Sequence, residues 1–273
     1  VPSRPEMITE KAETAIEKGL SYLGRTQGRD GSWRSGTRYG IYPCTMTSLA
    51  GLGLMAGGNT PVEGKYAANV RRAVDYVLSC AQPSGVISRM EEQRPMYGHG
   101  FSMLFLAEAY GMEQDATRQA RIERVLEKAV ALTGRSQSND GGWLYTPDSN
   151  GDEGSVTITQ IQGLRAARNA GIKVPKTIID KAIQYIEKSA NADGGIRYTA
   201  LGRGGTRPPI TAAAVAVLYN AGDYDNPVAV GAMRYMDKML AGNSRRISGG
   251  HKFYTMLYLA QAKYLSVGAK DAE

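Results

Sequence analysis

A chain of 273 residues, 42% hydrophobic and 22% charged, has the balance of an ordinary soluble globular protein, and two cysteines exclude both a disulfide-dense scaffold and a four-cysteine zinc site. The net charge of +7 favours anionic partners in general. No run of five or more Lys/Arg and no zinc-finger, RNA-binding or helix-turn-helix signature occurs, which argues against nucleic acid.

The elements, taken in chain order, alternate between two kinds of helix. Amphipathic helices are predicted over about 7–27, 63–82, 114–137, 175–190 and 226–241. Each is followed by a loop and then by a shorter, more apolar helix rich in small residues, over about 44–57, 99–111, 155–170, 210–221 and 251–267. Ile178, Ile179, Ala182, Ile183 and Ile186 make the apolar stripe of an outer helix, whereas Ile210 to Leu218 is apolar on nearly every side, as a helix between neighbours should be. Pro175 and Pro227 stand where helices start, and Gly111 and Gly171 where they stop. No strand is expected. The stretch Tyr39 to Val62 is uncharged, but Pro43, Asn59 and Pro61 interrupt it, leaving too few of the roughly 20 apolar residues that a membrane span requires.

The loops repeat. Gln27-Gly-Arg-Asp-Gly31-Ser-Trp33 and Gln137-Ser-Asn-Asp-Gly141-Gly-Trp143 lie 110 positions apart, Ala190-Asn-Ala-Asp-Gly194-Gly-Ile196 lies 53 further on, and Ala81-Gln-Pro-Ser-Gly-Val-Ile87 falls between the first two. A period of about 55 residues carried by a helix pair is the signature of a repeat architecture. The repeats run over about 7–57, 63–111, 114–171, 175–222 and 226–267 within one domain. In each motif the Gln is suited to capping backbone groups of the next hairpin, the Gly to a left-handed turn, and the Trp to packing a flat ring with its N–H bonded. Gln27, Gly31, Trp33, Gln137, Gly141, Trp143 and Gly194 are therefore read as structural.

Lys18-Gly-Leu-Ser-Tyr-Leu-Gly-Arg-Thr-Gln27 through Gly31-Ser-Trp33 resembles the QW motif of squalene and oxidosqualene cyclases, and the copy ending in Trp143 matches apart from Ala129. Tyr97-Gly-His99-Gly-Phe101 resembles an inner helix of protein prenyltransferase β-subunits. These stretches also look like bacterial proteins, mostly exported, described as carrying prenyltransferase and squalene-oxidase repeats. The resemblance implies an all-α fold, an α/α toroid of five αα-hairpins, where closed relatives have six. An incomplete ring would leave an apolar face for a protein partner or for self-association.

The resemblance also names chemistry that the chain lacks. The Asp-X-Asp-Asp acid of the cyclases is absent, and Asp148, Asp152 and Glu153, the nearest carboxylates, sit in a Gly/Asn-rich loop expected to be solvated. The zinc set of the prenyltransferases is missing too: no Asp-X-Cys element occurs, Tyr254 stands about where the zinc His would be, and the only histidines are His99 and His251. No metal or cofactor is expected.

The inner-helix N-termini should converge on one mouth, where Tyr42, Tyr97, His99, Arg207, His251 and Tyr254 are candidate ligand-binding residues, bordered by basic loops at 197–207 and 245–252. By the resemblance, His99 would contact an isoprenoid diphosphate. Cys44 and Cys80 should meet at this end, and a disulfide between them stays open. Two functions follow. The first is a non-catalytic structural or protein-interaction toroid; the second is a protein handling an isoprenoid or another anionic or amphipathic ligand in the central cavity. The start at Val1 without an initiator Met fits a mature exported chain.

Overall fold

In a computed structural model the protein is described over residues 8–34, 36–37, 40–202, 204–220, 224–241 and 251–270. Ten helices are found among these residues, and they alternate between two layers. The outer layer is α1 (Glu10–Thr26), α3 (Ala67–Ser79), α5 (Ala116–Arg135), α7 (Lys176–Lys188) and α9 (Pro227–Ala241). The inner layer is α2 (Pro43–Ala56), α4 (Pro95–Tyr110), α6 (Gly154–Asn169), α8 (Pro208–Asn220) and α10 (Lys252–Lys270). This is the all-α arrangement of an α/α toroid. The only strands among the described residues are the two-residue β1 (Gly36–Thr37) and β2 (Gly40–Ile41), paired antiparallel between α1 and α2. The sequence reading had no strand, because a two-residue ribbon is too short to show an alternating pattern.

Helix type follows residue pattern. Outer helices bury one stripe, such as Ile122, Leu126, Ala129 and Val130 of α5, and keep the opposite face in water. Inner helices are the more deeply buried: every residue of α8 from Ile210 to Tyr219 is inside, although α10 leaves Phe253, Met256, Leu257 and Tyr264 exposed. Their small residues let backbones approach. A Cβ on Gly100 of α4 would strike Thr159 and Gln160 of α6, and one on Gly163 of α6 would strike Met103 and the Gly100 carbonyl. Helix α4 begins at Pro95, four residues before the predicted start at 99, because proline's fixed φ and missing N–H suit the first helical turn. The predicted bounds at positions 7 and 222 lie outside the described residues.

The recurring loop is one structure in four described copies. In each, the first backbone N–H bonds a carbonyl four residues on: Gly28 to Ser32, Gln82 to Val86, Ser138 to Gly142 and Asn191 to Gly195. A glycine with positive φ then turns the chain, at Gly31 (φ 88°), Gly85 (98°), Gly141 (96°) and Gly194 (88°). Each turn lies against the next outer helix, so that a Cβ would collide with the carbonyl of Arg72, Lys128, Lys181 or Gly231. Glycine is thus required twice over, by backbone conformation and by space.

The Gln side chains stitch the same joint. Gln27 Nε2 donates to Gly31 O and, across the repeat boundary, to Asn69 O of α3, both at 2.9 Å. Gln137 Nε2 repeats this with Gly141 O and Ile178 O of α7, again at 2.9 Å. Gln137→Ala should lower stability by about 1–2 kcal/mol, since two carbonyls lose their donor in a half-buried joint. Urea unfolding followed by circular dichroism reads this directly, and an unchanged midpoint would show that water replaces the amide at no cost.

Candidate functional site

The N-termini of the first four inner helices are each locked to the loop before them, where one residue of the first turns accepts a backbone N–H from that loop. Trp33 N donates to Thr47 Oγ1, Trp143 N to Thr157 Oγ1 and Ile196 N to Thr211 Oγ1, at 2.9–3.0 Å. In the second repeat the acceptor is His99: Ile87 N donates to its Nδ1 at 3.2 Å. With Nδ1 an acceptor, the neutral ring carries its proton on Nε2, which lies 2.9 Å from Thr133 Oγ1 of α5. His99 is 0% exposed, and burial pushes its pKa down to about 4. Both ring nitrogens are engaged inside the protein. The structure therefore places His99 in the repeat-to-repeat ladder and not on the ligand-facing wall that the resemblance implied.

Two of the candidate residues do come together. Tyr97, in the first turn of α4, lies near Tyr254 of α10, and both lie near Glu153. Glu153 is the N-cap of α6 and is completely buried, which corrects the expectation of a solvated acid; only Asp148 of that trio is exposed. The reason is local. A carboxylate at an N-cap meets the free N–H groups and positive end of the helix, and Glu153 accepts from Ser155 N at 2.9 Å and Val156 N at 2.7 Å. Ser155 Oγ donates at 2.7 Å, and the Tyr97 hydroxyl stands 3.0 Å from the same oxygen and 2.6 Å from Ser155 Oγ. Glycine follows at 154, where a Cβ would strike Ile210 of α8, so the acid enters where helices are closest.

Tyrosines wall this carboxylate. The Tyr97 and Tyr145 ring centroids are 6.1 Å apart, and the Tyr145 and Tyr198 hydroxyls are hydrogen-bonded to each other. The Arg94 guanidinium lies over the Tyr145 ring, 4.2 Å from its centroid. From the far side, Tyr254 and Tyr258 meet edge to face at 4.7 Å, and Tyr258 donates to Gln162 of α6 at 3.0 Å. Burial first, and the Glu153 charge among the further causes, hold the Tyr97, Tyr198 and Tyr254 phenols above their usual range, so they remain donors at neutral pH. The Tyr254 hydroxyl is buried with no protein partner, as are the Tyr185 hydroxyl and Asp152 Oδ1, which lie close to each other. Unpaired buried polar atoms of this kind are completed by water or by a ligand.

The remaining candidates lie apart from this basin in role. Tyr42 is the half-buried N-cap of α2. Arg207 is exposed; its backbone N–H bonds Ile196 O, and its carbonyl accepts from Thr211 N and Thr211 Oγ1 at the start of α8. His251 is exposed, and its carbonyl accepts from Thr255 N and Oγ1. Of the basic loop at 245–252, positions 245–250 lie outside the described residues. Among the described residues no group of three or more His, Cys, Asp or Glu side chains could hold a metal ion, and no helix is long and apolar enough to cross a membrane. Sequence reasoning missed Glu153, Tyr145 and Tyr198. For Glu153 the signal was present: an acid directly before Gly154-Ser-Val-Thr-Ile is placed as an N-cap.

No family model matches the chain. A curated protein, the drimenyl diphosphate synthase of Streptomyces showdoensis, is 26% identical over 190 residues, covering 69% of this chain and 33% of the synthase. The chain thus spans about a third of the length of that relative. A solved structure titled as a wild-type glycosidase superposes with a TM-score of 0.55 at 14% identity, covering 94% of this chain and 78% of the other. That likeness concerns the fold alone.

Proposed function

We propose that this toroid binds an isoprenoid or similar amphipathic ligand in the tyrosine-walled basin around Glu153, and that it does not protonate it. The observation that carries the reading is a buried carboxylate that takes the Tyr97 hydroxyl, with Tyr198 and Tyr254 close by and the Tyr254 hydroxyl buried without a hydrogen bond. Aromatic faces suit alkene chains and any positive charge that develops on them, while Arg94 and Arg207 supply positive charge for an anionic head group. The resemblance to a drimenyl diphosphate synthase supports the substrate class. Against acid catalysis stands the use of Glu153: its oxygens face only donors, so it is arranged to accept hydrogen bonds and not to give up a proton.

The test is native mass spectrometry and calorimetry of the protein with farnesyl diphosphate and with farnesol, alongside Tyr145→Ala. Saturable binding that Tyr145→Ala weakens about tenfold, from the loss of one aromatic wall, with no cyclised product by gas chromatography, is the expected result. Cyclised product would overturn the non-catalytic part. Absence of binding to either probe would overturn the reading itself.

A second reading, a protein-interaction module, is favoured by one surface. An apolar groove of about 450 Å³ runs between α1 and α2, lined by Ile16, Leu20, Tyr22 and Leu23, and α1 has no buried residue of its own. A concentration-dependent dimer in sedimentation that Leu20→Glu dissolves would support it. Export to the cell envelope belongs to the same proposal, since a secreted scaffold needs no catalysis.

A further inference from the structure

We propose that Cys44 and Cys80 form an oxidisable dithiol that closes a disulfide between the first inner helix and the second outer helix. Cys44 opens α2 and is 0% exposed; Cys80 caps the C-terminus of α3 and is 2% exposed. Both are free thiols, and they converge on one pair of side chains: Cys44 N donates to Glu92 Oε1 at 2.8 Å, Ser88 Oγ donates to Glu92 Oε2 at 2.9 Å, and Ser88 N donates to Cys80 O at 3.2 Å. Neither belongs to the tyrosine basin or to the repeat ladder.

The surroundings hold the pair in place and make it unequal. Cys80 N bonds Val77 O, Cys80 O accepts from Ser88 N at 3.2 Å, and its Sγ–H points to Tyr76 O at 3.2 Å. Cys44 N donates to Glu92 Oε1 at 2.8 Å, and a Cβ on Gly98 would press on both Cys44 Cβ and Glu92, so this side has no room to rotate away. The Cys44 thiol and the nearby Arg89 guanidinium pull the Cys80 thiol below its usual range. The neighbouring Cys80 and the buried Glu92 carboxylate hold Cys44 protonated. One sulfur is thus the nucleophile and the other the resolving thiol.

The step balances with a disulfide oxidant of the glutathione class. The Cys80 thiolate attacks one sulfur of the oxidant, forming a mixed disulfide and expelling a thiolate. Cys44 then loses its proton to solvent, attacks the Cys80 sulfur and expels the second thiolate. The protein gives up two electrons and two protons, and the oxidant is reduced to two thiols. Because the pair is buried, exchange should be fast in the unfolded or locally opened chain and slow in the native one.

The test uses the full chain, refolded in glutathione buffers from fully reduced to fully oxidised, quenched with N-ethylmaleimide under denaturing conditions and weighed intact. We expect the two alkylations to disappear together in oxidising buffers, with the mass of a monomer lacking two hydrogens. The oxidised form should melt about 5–10 °C higher than the reduced one, as a closed loop of this length implies. Cys80→Ser should abolish the mass loss and the redox dependence of melting. Two alkylated thiols in every buffer, a disulfide-linked dimer, or equal melting of both forms would overturn the proposal. If Cys80→Ser fails to fold, the wild-type mass series decides alone.

Discussion

Trp143→Ala is expected to lower the stability of the fold by about 3–5 kcal/mol, the upper range for loss of a buried aromatic side chain. Trp143 is 0% exposed and among the largest side chains fully inside the protein. Its ring N–H donates to Thr133 O at 2.8 Å, folding the loop back onto its own outer helix, while its backbone N–H bonds Thr157 of the following inner helix. Removing the ring opens a cavity beside α5 and α6 and orphans the Thr133 carbonyl. Two controls separate these effects. Trp143→Phe keeps most of the volume and should cost about 1–2 kcal/mol for the lost hydrogen bond. Trp33→Ala removes the equivalent ring, bonded to Leu23 O at 3.1 Å, from a repeat whose outer helix α1 has no fully buried residue and packs on the core only through half-buried ones such as Leu20 and Leu23; it should cost less than Trp143→Ala. Urea denaturation of the three variants gives the order, and equal losses at positions 33 and 143 would contradict the view that the central repeats carry the core.

The contrast between these two tryptophans shows what could be read in advance. Period and helix type were legible because each repeat solves the same packing problem with the same residues: Gln and Gly at the joint, and small apolar residues on the inner helix. The repeat of helix pairs followed from that recurrence, and the toroid from the resemblance of its loops to the QW motif. What could not be read was the use of single polar residues. His99 was expected to meet a ligand because Tyr97-Gly-His99-Gly-Phe101 resembles a prenyltransferase inner helix, yet it stands where the other described repeats place Thr47, Thr157 and Thr211. That equivalence appears only when the bond from Ile87 is seen, since histidine and threonine share no sequence pattern. Glu153 failed in the opposite sense. A Gly/Asn-rich neighbourhood suggests water, but the glycines at 151 and 154 are there because Leu144 and Ile210 crowd them. The tyrosine cluster was legible only in part: Tyr97 and Tyr254 stand at inner-helix N-termini, but Tyr145 and Tyr198 lie in loops of two further repeats, and no sequence pattern brings those loops to the same place.

If His99 is a ladder residue, the protein must lose stability in mild acid, and the sign can be worked out. The unfolded imidazole takes up its proton near pH 6.5, whereas in the folded protein burial among apolar neighbours holds its pKa at about 4. Between these values the unfolded chain binds more protons than the folded one, so stability rises with pH across that window. The contribution is complete above about pH 6.5, falls as pH drops through the window, and is lost below about pH 4. The gap corresponds to roughly 3 kcal/mol, a large part of the net stability of a domain. His99→Thr tests the assignment, because threonine is what the other described repeats use to accept the loop N–H. The variant should give up some packing against Thr133 at neutral pH and lose the acid-dependent slope attributable to this group. Urea midpoints at intervals from pH 7 to pH 4, with wild type and His99→Thr compared at each, give the difference curve. Parallel curves would mean that the histidine is protonated within the native fold and that the neutral bond between Ile87 and His99 does not hold the second repeat together. Convergence of the two curves toward low pH would identify the ladder as the part of the molecule that acid opens first.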